Sequence, residues 1–272
     1  MDKTAPKISI GNRPIGIFDS GVGGLTVLRE IRKHLPHESI HYFADSRNCP
    51  YGSKTSEEAL SLSRKNIEFL LKRDCKLIVI ACNTVTAVAI DHFRADYQVP
   101  FVGMEPAIKP AALQTKSKKI GILATENTLN GRLFKQTFEK FAKDLEVFIQ
   151  PGYGLVELVE QSAQNSDQAQ ILLERYLLPM MEKGMDTLVL GCTHYPFLLE
   201  MIKKVTHNCV AIIDPADAVA NQTKKLLIQF NITSDTPQPP LFNFFTTGEK
   251  KIARTFIDQT IKSPYTLEQI DI

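Results

Sequence analysis

The chain alternates short, continuous apolar runs with longer segments in which apolar residues recur at helical spacing. The first run covers residues 14–18, and a glycine-rich turn over residues 19–24 follows it. Apolar residues then recur every three or four positions from Leu25 to Leu35, just before Pro36. A buried run that leads through a glycine turn into an amphipathic segment is typical of a parallel strand, a loop and a helix.

The same alternation continues along the rest of the chain. Further strands are predicted at residues 40–44, 77–82, 101–102, 120–123, 145–149, 188–192, 211–214 and 242–246. Helices are predicted over residues 56–71, 134–141, 167–183 and 216–230. Strands that alternate with helices imply parallel sheets joined by right-handed crossovers. After the proline-rich segment 234–240, we expect the last strand to return to the first half of the chain.

The pattern repeats once within the chain. The interval from Gly16 to Cys82 is similar in length to the interval from Gly121 to Cys192, and each ends in an apolar run followed by a cysteine. We therefore predict an α/β fold with two similar parallel-sheet lobes, related by a pseudo-twofold axis, and an active site in the cleft between them. The predicted first lobe comprises residues 1–106 and 216–272, and the second comprises residues 107–215.

Composition narrows the classes of function. The 272 residues are 43% hydrophobic and 23% charged with a net charge of +2, which excludes a disordered chain and gives no reason to expect a nucleic-acid or membrane partner. The first residues lack an apolar secretory signal, and no apolar run is long enough to span a membrane, so a cytoplasmic protein is expected.

Cysteine usage in that reducing compartment argues against a disulfide framework. No Cys-x-x-Cys or His-x-x-x-His pair gives the spacing of a metal site, which leaves packing or catalysis. Cys49, Cys75 and Cys209 have no counterpart in the repeat, and we interpret them as packing residues.

The repeated cysteines Cys82 and Cys192 are the candidates for chemistry. A lone cysteine after a strand is usually a small buried hydrophobe, but two at equivalent strand ends would face each other across the cleft. Such a pair suits removal of a proton from one face of a carbon and delivery of another to the opposite face.

Polar groups near the predicted strand ends could hold a substrate. The glycine turn before the first helix suits a carboxylate. Asp19 could belong to the site or simply cap the turn that follows it. His194, two residues after Cys192, is expected on the same face of an extended segment. Short hydrogen-bonding side chains at strand ends or in the turns after them are those of Ser20, Ser53, Asn83, Thr84 and Thr193.

Four motifs resemble a known family. They are Ile-Phe-Asp-Ser-Gly-Val-Gly-Gly-Leu-Thr at 17–26, Cys-Pro-Tyr-Gly-Ser-Lys-Thr at 49–55, Ala-Cys-Asn-Thr at 81–84 and Gly-Cys-Thr-His-Tyr-Pro at 191–196. Together they are similar to the motifs of glutamate racemases, within the cofactor-independent aspartate/glutamate racemase family. The resemblance extends from about residue 14 to residue 248.

The resemblance implies specific roles. Cys82 and Cys192 would be the two catalytic acid/bases, with Asp19 assisting Cys82 and His194 assisting Cys192. Glu160 would support His194, with Glu157 as the competing assignment. The implied substrate-binding residues are Ser20, Pro50, Tyr51, Gly52, Ser53, Asn83, Thr84 and Thr193. The family needs no cofactor or metal, its members are commonly homodimers, and its D-glutamate supplies peptidoglycan synthesis.

Three alternatives remain open from the sequence. The first is a racemase for aspartate or another amino acid, which a substrate panel would distinguish. The second is a binding module that clamps an anionic amino acid without exchanging its α-hydrogen. The third is a redox pair, which a readily formed disulfide between Cys82 and Cys192 would favour.

Overall fold

A computed structural model of the protein describes residues 9–272. The amino-terminal leader, on which the expectation of no secretory signal rests, lies outside the described residues. None of the helices in residues 9–272 is both long enough and apolar enough to cross a membrane.

The described chain contains ten strands and eleven α-helices. The strands are β1 Ile15–Asp19, β2 Ile40–Ala44, β3 Leu77–Ile80, β4 Phe101–Gly103, β5 Lys119–Ala124, β6 Glu146–Pro151, β7 Thr187–Gly191, β8 Ala211–Ile213, β9 Phe242–Thr246 and β10 Thr266–Gln269. The helices are α1 Leu25–His34, α2 Ser56–Leu71, α3 Asn83–Asp96, α4 Ile108–Gln114, α5 Glu126–Asn130, α6 Arg132–Phe141, α7 Leu155–Glu160, α8 Asp167–Glu182, α9 Leu199–Val205, α10 Ala216–Gln229 and α11 Lys250–Thr260.

The first lobe is built on a six-stranded parallel sheet in the order β10-β9-β2-β1-β3-β4. Every residue of β1 and β3 is buried, because helices cover both faces of the sheet. Alternate residues face opposite sides. Ile17 and Val79 pack with α1, α10 and α11, whereas Phe18 and Ile80 pack with α2 and α3.

The second lobe is built on a four-stranded parallel sheet in the order β6-β5-β7-β8. One face of this sheet packs on α4 and α6 through residues such as Ile122 and Val189. On the other face, Leu123 and Leu190 belong to the same hydrophobic cluster as Ile17 of the first lobe. The lobes therefore share part of their core.

The strand order β2-β1-β3-β4 of the first lobe recurs as β6-β5-β7-β8 in the second. The predicted α/β fold with two parallel sheets is thereby confirmed. The first lobe alone carries two additional strands, since β9 pairs with β2 and β10 pairs with β9. The domain boundaries after residues 106 and 215 stay a prediction.

Candidate active site

Cys82 and Cys192 occupy corresponding places in the two lobes. Cys82 lies between the end of β3 and the first residue of α3, and Cys192 directly follows β7. Both thiols line one small cavity between the lobes. The other predicted site residues that line it are Ser20, Pro50, Tyr51, Gly52, Asn83, Thr84, Thr193 and His194. Asp19, Glu160 and Ser53 do not line it, and Ser53 is exposed.

The Cys82 side of the cavity contains Ser20 and Asp19. The Cys82 thiol donates to Ser20 Oγ at 3.6 Å. The buried Asp19 carboxylate accepts from the backbone N–H of Gly24 at 2.8 Å and from the Thr193 hydroxyl at 3.5 Å. Asp19 therefore supports the turn before α1, as the capping interpretation predicts, and it also contacts the second lobe.

Burial controls the protonation of these two groups. It raises the pKa of the Cys82 thiol well above its ordinary value, and the charge of Asp19 raises it further, against the opposing N–H of Val85 and hydroxyl of Ser20. Burial also raises the pKa of Asp19 to about 6, although the nearby His194 and the N–H of Gly24 lower it. Cys82 is therefore a neutral thiol at neutral pH, next to a carboxyl group that titrates just below neutrality.

The Cys192 side contains an imidazole with a carboxylate behind it. His194 Nδ1 lies 3.8 Å from Cys192 Sγ, and His194 Nε2 lies 2.7 Å from Glu160 Oε1. Glu160 Oε1 also accepts from the N–H of Val22, in the glycine turn of the first lobe, at 2.7 Å. The competing residue Glu157 is exposed, so Glu160 is the glutamate that contacts His194.

The expectation that Cys192 and His194 lie on one face of an extended segment is wrong. The chain turns directly after β7, because the N–H of Tyr195 donates to the Cys192 carbonyl at 3.1 Å. His194 has the helical angles φ −75° and ψ −28°. The turn, and not strand alternation, brings its ring to the thiol.

The pKa of His194 is raised well above its ordinary value. Burial by itself would lower it, but hydrogen bonds with Cys192, Cys49 and Glu160 outweigh that effect. The Glu160 carboxylate is the partner that best explains a charged imidazolium, since burial raises the pKa of the Cys49 thiol to about 12 and keeps that thiol neutral.

One cluster in residues 9–272 has the donor types of a metal site. The ligand atoms of Cys49, Glu160 and His194 lie within 4.8 Å of one another. Glu160 Oε1 already accepts two hydrogen bonds, one from the His194 ring and one from the N–H of Val22. In this geometry the Glu160 carboxylate is hydrogen-bonded to the His194 imidazole, and the neutral Cys49 thiol lies beside them.

The loop that contains Pro50, Tyr51 and Gly52 forms one wall of the cavity. The peptide bond between Cys49 and Pro50 is cis, and the Tyr51 side chain is buried. Asn127 of the second lobe donates through Nδ2 to the carbonyls of Lys54 at 2.7 Å and Tyr51 at 3.3 Å. The wall is therefore bonded to both lobes.

Two cavity residues, Thr125 and Val156, were not predicted from the sequence. The Thr125 hydroxyl lies 3.0 Å from that of Thr84. Thr125 directly follows β5 as Ser20 directly follows β1, so the internal repeat carried a signal for Thr125. Val156 lies in α7, and no motif or repeat position marks it.

A larger cavity elsewhere, of about 600 Å³, lies between α3, β4, α6 and α10. It contains none of the predicted site residues and neither strand-end thiol. The smaller cavity is therefore the candidate active site, because that is where the reactive groups converge.

Comparisons with known proteins agree on one family for this chain. Residues 24–223 match the family model described as Asp/Glu/Hydantoin racemase. A glutamate racemase of Herpetosiphon aurantiacus is 44% identical over 238 residues, which cover 88% of this chain and 94% of that protein. A glutamate racemase of Pseudomonas aeruginosa is 46% identical over 221 residues, covering 81% and 83%.

Solved structures agree with this similarity. A glutamate racemase from Bacillus anthracis superposes with a TM-score of 0.85 at 32% identity, covering 96% of this chain and 98% of that one. The Escherichia coli glutamate racemase in complex with L-glutamate and the activator UDP-MurNAc-ala superposes with a TM-score of 0.83 at 30% identity, covering 95% and 98%.

Proposed function

The chain belongs to the Asp/Glu/hydantoin racemase family and is an amino-acid racemase, and we propose that it interconverts L-glutamate and D-glutamate by a two-thiol mechanism. The observation that carries this proposal is the meeting of Cys82 and Cys192, from corresponding ends of β3 and β7, at one cavity. Two acid/base groups on opposite sides of a bound substrate are what inversion at a carbon requires.

In the proposed reaction from L-glutamate, the Cys192 thiolate takes the α-hydrogen as a proton. The electrons of the broken C–H bond remain on the α-carbon and are delocalised into the adjacent carboxylate. The Cys82 thiol then delivers its own proton to the opposite face, which forms D-glutamate and leaves Cys82 as the thiolate. The D-to-L reaction runs the same steps in reverse and restores the starting protonation.

The neighbours of the thiols support this assignment of roles. Burial and Asp19 keep Cys82 protonated at rest, which suits the proton donor of the L-to-D direction. On the other side, the His194 imidazolium lies 3.8 Å from Cys192 Sγ and would stabilise a thiolate there. Glu160 fixes the orientation of the imidazole and supplies its counter-charge.

The cavity lining suits a small amino acid with a second carboxylate. Asn83 Oδ1 is buried without a hydrogen-bond partner, so an ammonium group could donate to it. The hydroxyls of Ser20, Thr84 and Thr193 and the backbone around Gly52 would bind carboxylate oxygens. Two similar structures contain bound glutamate, D-glutamate in the glutamate racemase of Francisella tularensis and L-glutamate in that of Escherichia coli.

The cellular role follows as part of the same proposal. The D-glutamate would supply peptidoglycan synthesis, and the protein would act in the cytoplasm, as a homodimer and without a cofactor. Size-exclusion chromatography with light scattering tests the dimer. Full activity after exhaustive dialysis against a chelator, with no pyridoxal absorbance, tests the absence of a cofactor.

The decisive experiment uses Cys82→Ser and Cys192→Ser with each enantiomer in deuterated water. Each variant should lose racemisation by about 100-fold or more, because each lacks one of the two acid/bases. Cys209→Ser changes an exposed cysteine that does not line the cavity and is the matched control. Racemisation at the wild-type rate in either Cys82→Ser or Cys192→Ser would show that the two-thiol mechanism is wrong.

A substrate panel with the wild-type protein separates the neighbouring hypotheses. Glutamate should be turned over in preference to aspartate and other amino acids. Preference for aspartate would contradict the substrate assignment but leave the mechanism intact. Thermal stabilisation by glutamate without α-hydrogen exchange would instead indicate a binding protein.

A further inference from the structure

Asp45 accepts an unusual number of side-chain hydrogen bonds behind the Pro50–Gly52 wall of the cavity. It directly follows β2 and is 1% exposed. Its carboxylate accepts from the Tyr51 hydroxyl at 2.5 Å, from the Thr247 hydroxyl at 2.7 Å and from the amides of Asn48 at 3.0 Å and Asn66 at 3.2 Å. None of the ion pairs between described residues includes Asp45, so neutral donors alone satisfy this buried carboxylate.

Thr247 reaches this network from the other end of the chain. It directly follows β9, and its N–H donates to the carbonyl of Ala44 at 3.1 Å. Its hydroxyl oxygen also accepts from the N–H of Arg47 at 3.1 Å. Thr247 therefore bonds to the chain on both sides of Asp45, at the start of the segment that leads to Pro50.

Tyr51 connects the Asp45 hydrogen bonds to the cavity. Its hydroxyl is bonded to Asp45, its ring is 1% exposed, and the residue itself lines the cavity with Pro50 and Gly52. The segment between β2 and α2 has no strand partner, and two short 3-10 turns, Ser46–Asn48 and Tyr51–Ser53, are its only regular backbone structure. The position of the wall thus depends on side-chain bonds, of which Asp45 makes the largest number.

We propose that Asp45 and Thr247 are positioning residues for substrate binding, which act through Tyr51 and do not touch the substrate. This proposal rests on the proposed function, in which the Pro50–Gly52 wall binds glutamate. It also assigns a role to β9, a strand with no counterpart in the second lobe: β9 places the Thr247 hydroxyl against Asp45.

The test compares Thr247→Val with Thr247→Ser. Valine keeps the shape of threonine but removes the hydroxyl, so KM for glutamate should rise about fivefold or more while kcat changes less. Serine restores the hydroxyl and should restore KM. Thr223→Val removes another fully buried threonine hydroxyl, bonded within α10 at 2.8 Å, and should leave KM unchanged.

Hydrogen exchange of the wall gives a readout that does not depend on activity. Backbone amides of residues 46–54 should exchange faster in Thr247→Val and in Asp45→Asn than in the wild type or Thr223→Val. Unchanged exchange there, or equal impairment of the serine and valine variants, would overturn the positioning role. If the wild type does not racemise glutamate while the exchange difference is still observed, the proposed function fails and the positioning role of the hydroxyl stands.

Discussion

The two lobes share one strand order but surround their cysteines with different groups. In the first lobe, Cys82 is followed at once by α3 and lies near Asp19, a buried carboxyl. In the second, Cys192 is followed by a turn that brings in His194, backed by Glu160. A duplicated scaffold thus supplies two opposed thiols, and local departures from the repeat give them unlike charges as neighbours. In the proposed mechanism, that difference lets one thiol donate a proton while the other accepts one.

The Asp19 carboxyl should give the largest effect, on stability. Burial raises the pKa of Asp19 from its ordinary 3.8 to about 6, so the folded state binds the proton more tightly than the unfolded state. The folded state is therefore penalised as pH rises from about 4 to above 6, by about 3 kcal/mol in total. Asp19→Asn cannot ionise and should gain stability relative to wild type across that window. Urea unfolding of both proteins at several pH values measures this, and a difference that does not vary with pH would contradict it.

The imidazole is the next feature to remove. His194→Gln should lower kcat by about 100-fold, because the proposed mechanism loses the cation that lies beside Cys192 Sγ. Since the equilibrium constant between enantiomers is one, kcat/KM must fall equally in both directions. The asymmetry should instead appear as slower exchange of the α-hydrogen of L-glutamate with deuterated water. His34→Gln, which removes a surface histidine paired with Asp217, is the control. Symmetric exchange from both enantiomers would contradict the assignment of His194 to one side.

Glu160 should have a smaller effect, since it acts through His194. Glu160→Gln keeps a hydrogen-bond acceptor but removes the counter-charge, so the pKa of His194 should fall and kcat should drop about tenfold. Glu157→Gln alters an exposed glutamate of the same helix and should stay within about twofold of wild type. NMR titration of the imidazole follows the pKa directly. An unchanged His194 titration in Glu160→Gln would show that the thiols, and not the carboxylate, set its charge.

Most of the fold could be predicted because buried parallel strands are continuous apolar runs. β1, β2, β3, β5, β7 and β9 all lie close to their predicted positions. α3 was missed, because it begins at Asn83 directly after the strand-end cysteine, and its N-cap residue, Cys82, makes no side-chain capping bond and is not of a type that marks a helix start. β10 was missed because its residues, Thr-Leu-Glu-Gln, are an exposed edge strand with one apolar position.

Site residues could be predicted where they follow a strand or belong to a motif. They were harder to predict where packing between the lobes determines which side chains reach the cavity. Cys82, Cys192 and His194 converge as expected, but His194 does so through a turn that no periodicity signals. Thr125 and Val156 reach the cavity only because the second lobe packs over the first. Ser53 shares the motif of Gly52, yet it faces solvent, since one residue of displacement in a 3-10 turn rotates the side chain away.

The smallest predicted effect concerns Asn127. This residue of the second lobe bonds to the Pro50–Gly52 wall, which Thr247 is proposed to position from the first lobe. Asn127→Ala removes two hydrogen bonds to backbone carbonyls that water can partly replace, so KM should rise only about threefold to fivefold. Asn221→Ala removes an exposed amide bonded to Asp217 and is the matched control.

The double variant Asn127→Ala with Thr247→Val sharpens the comparison. If both residues fix the same position of the wall, the second substitution should raise KM by a smaller factor than it does alone, because the first has already displaced the wall. Strictly additive changes in KM would mean that the two lobes support separate parts of the cavity.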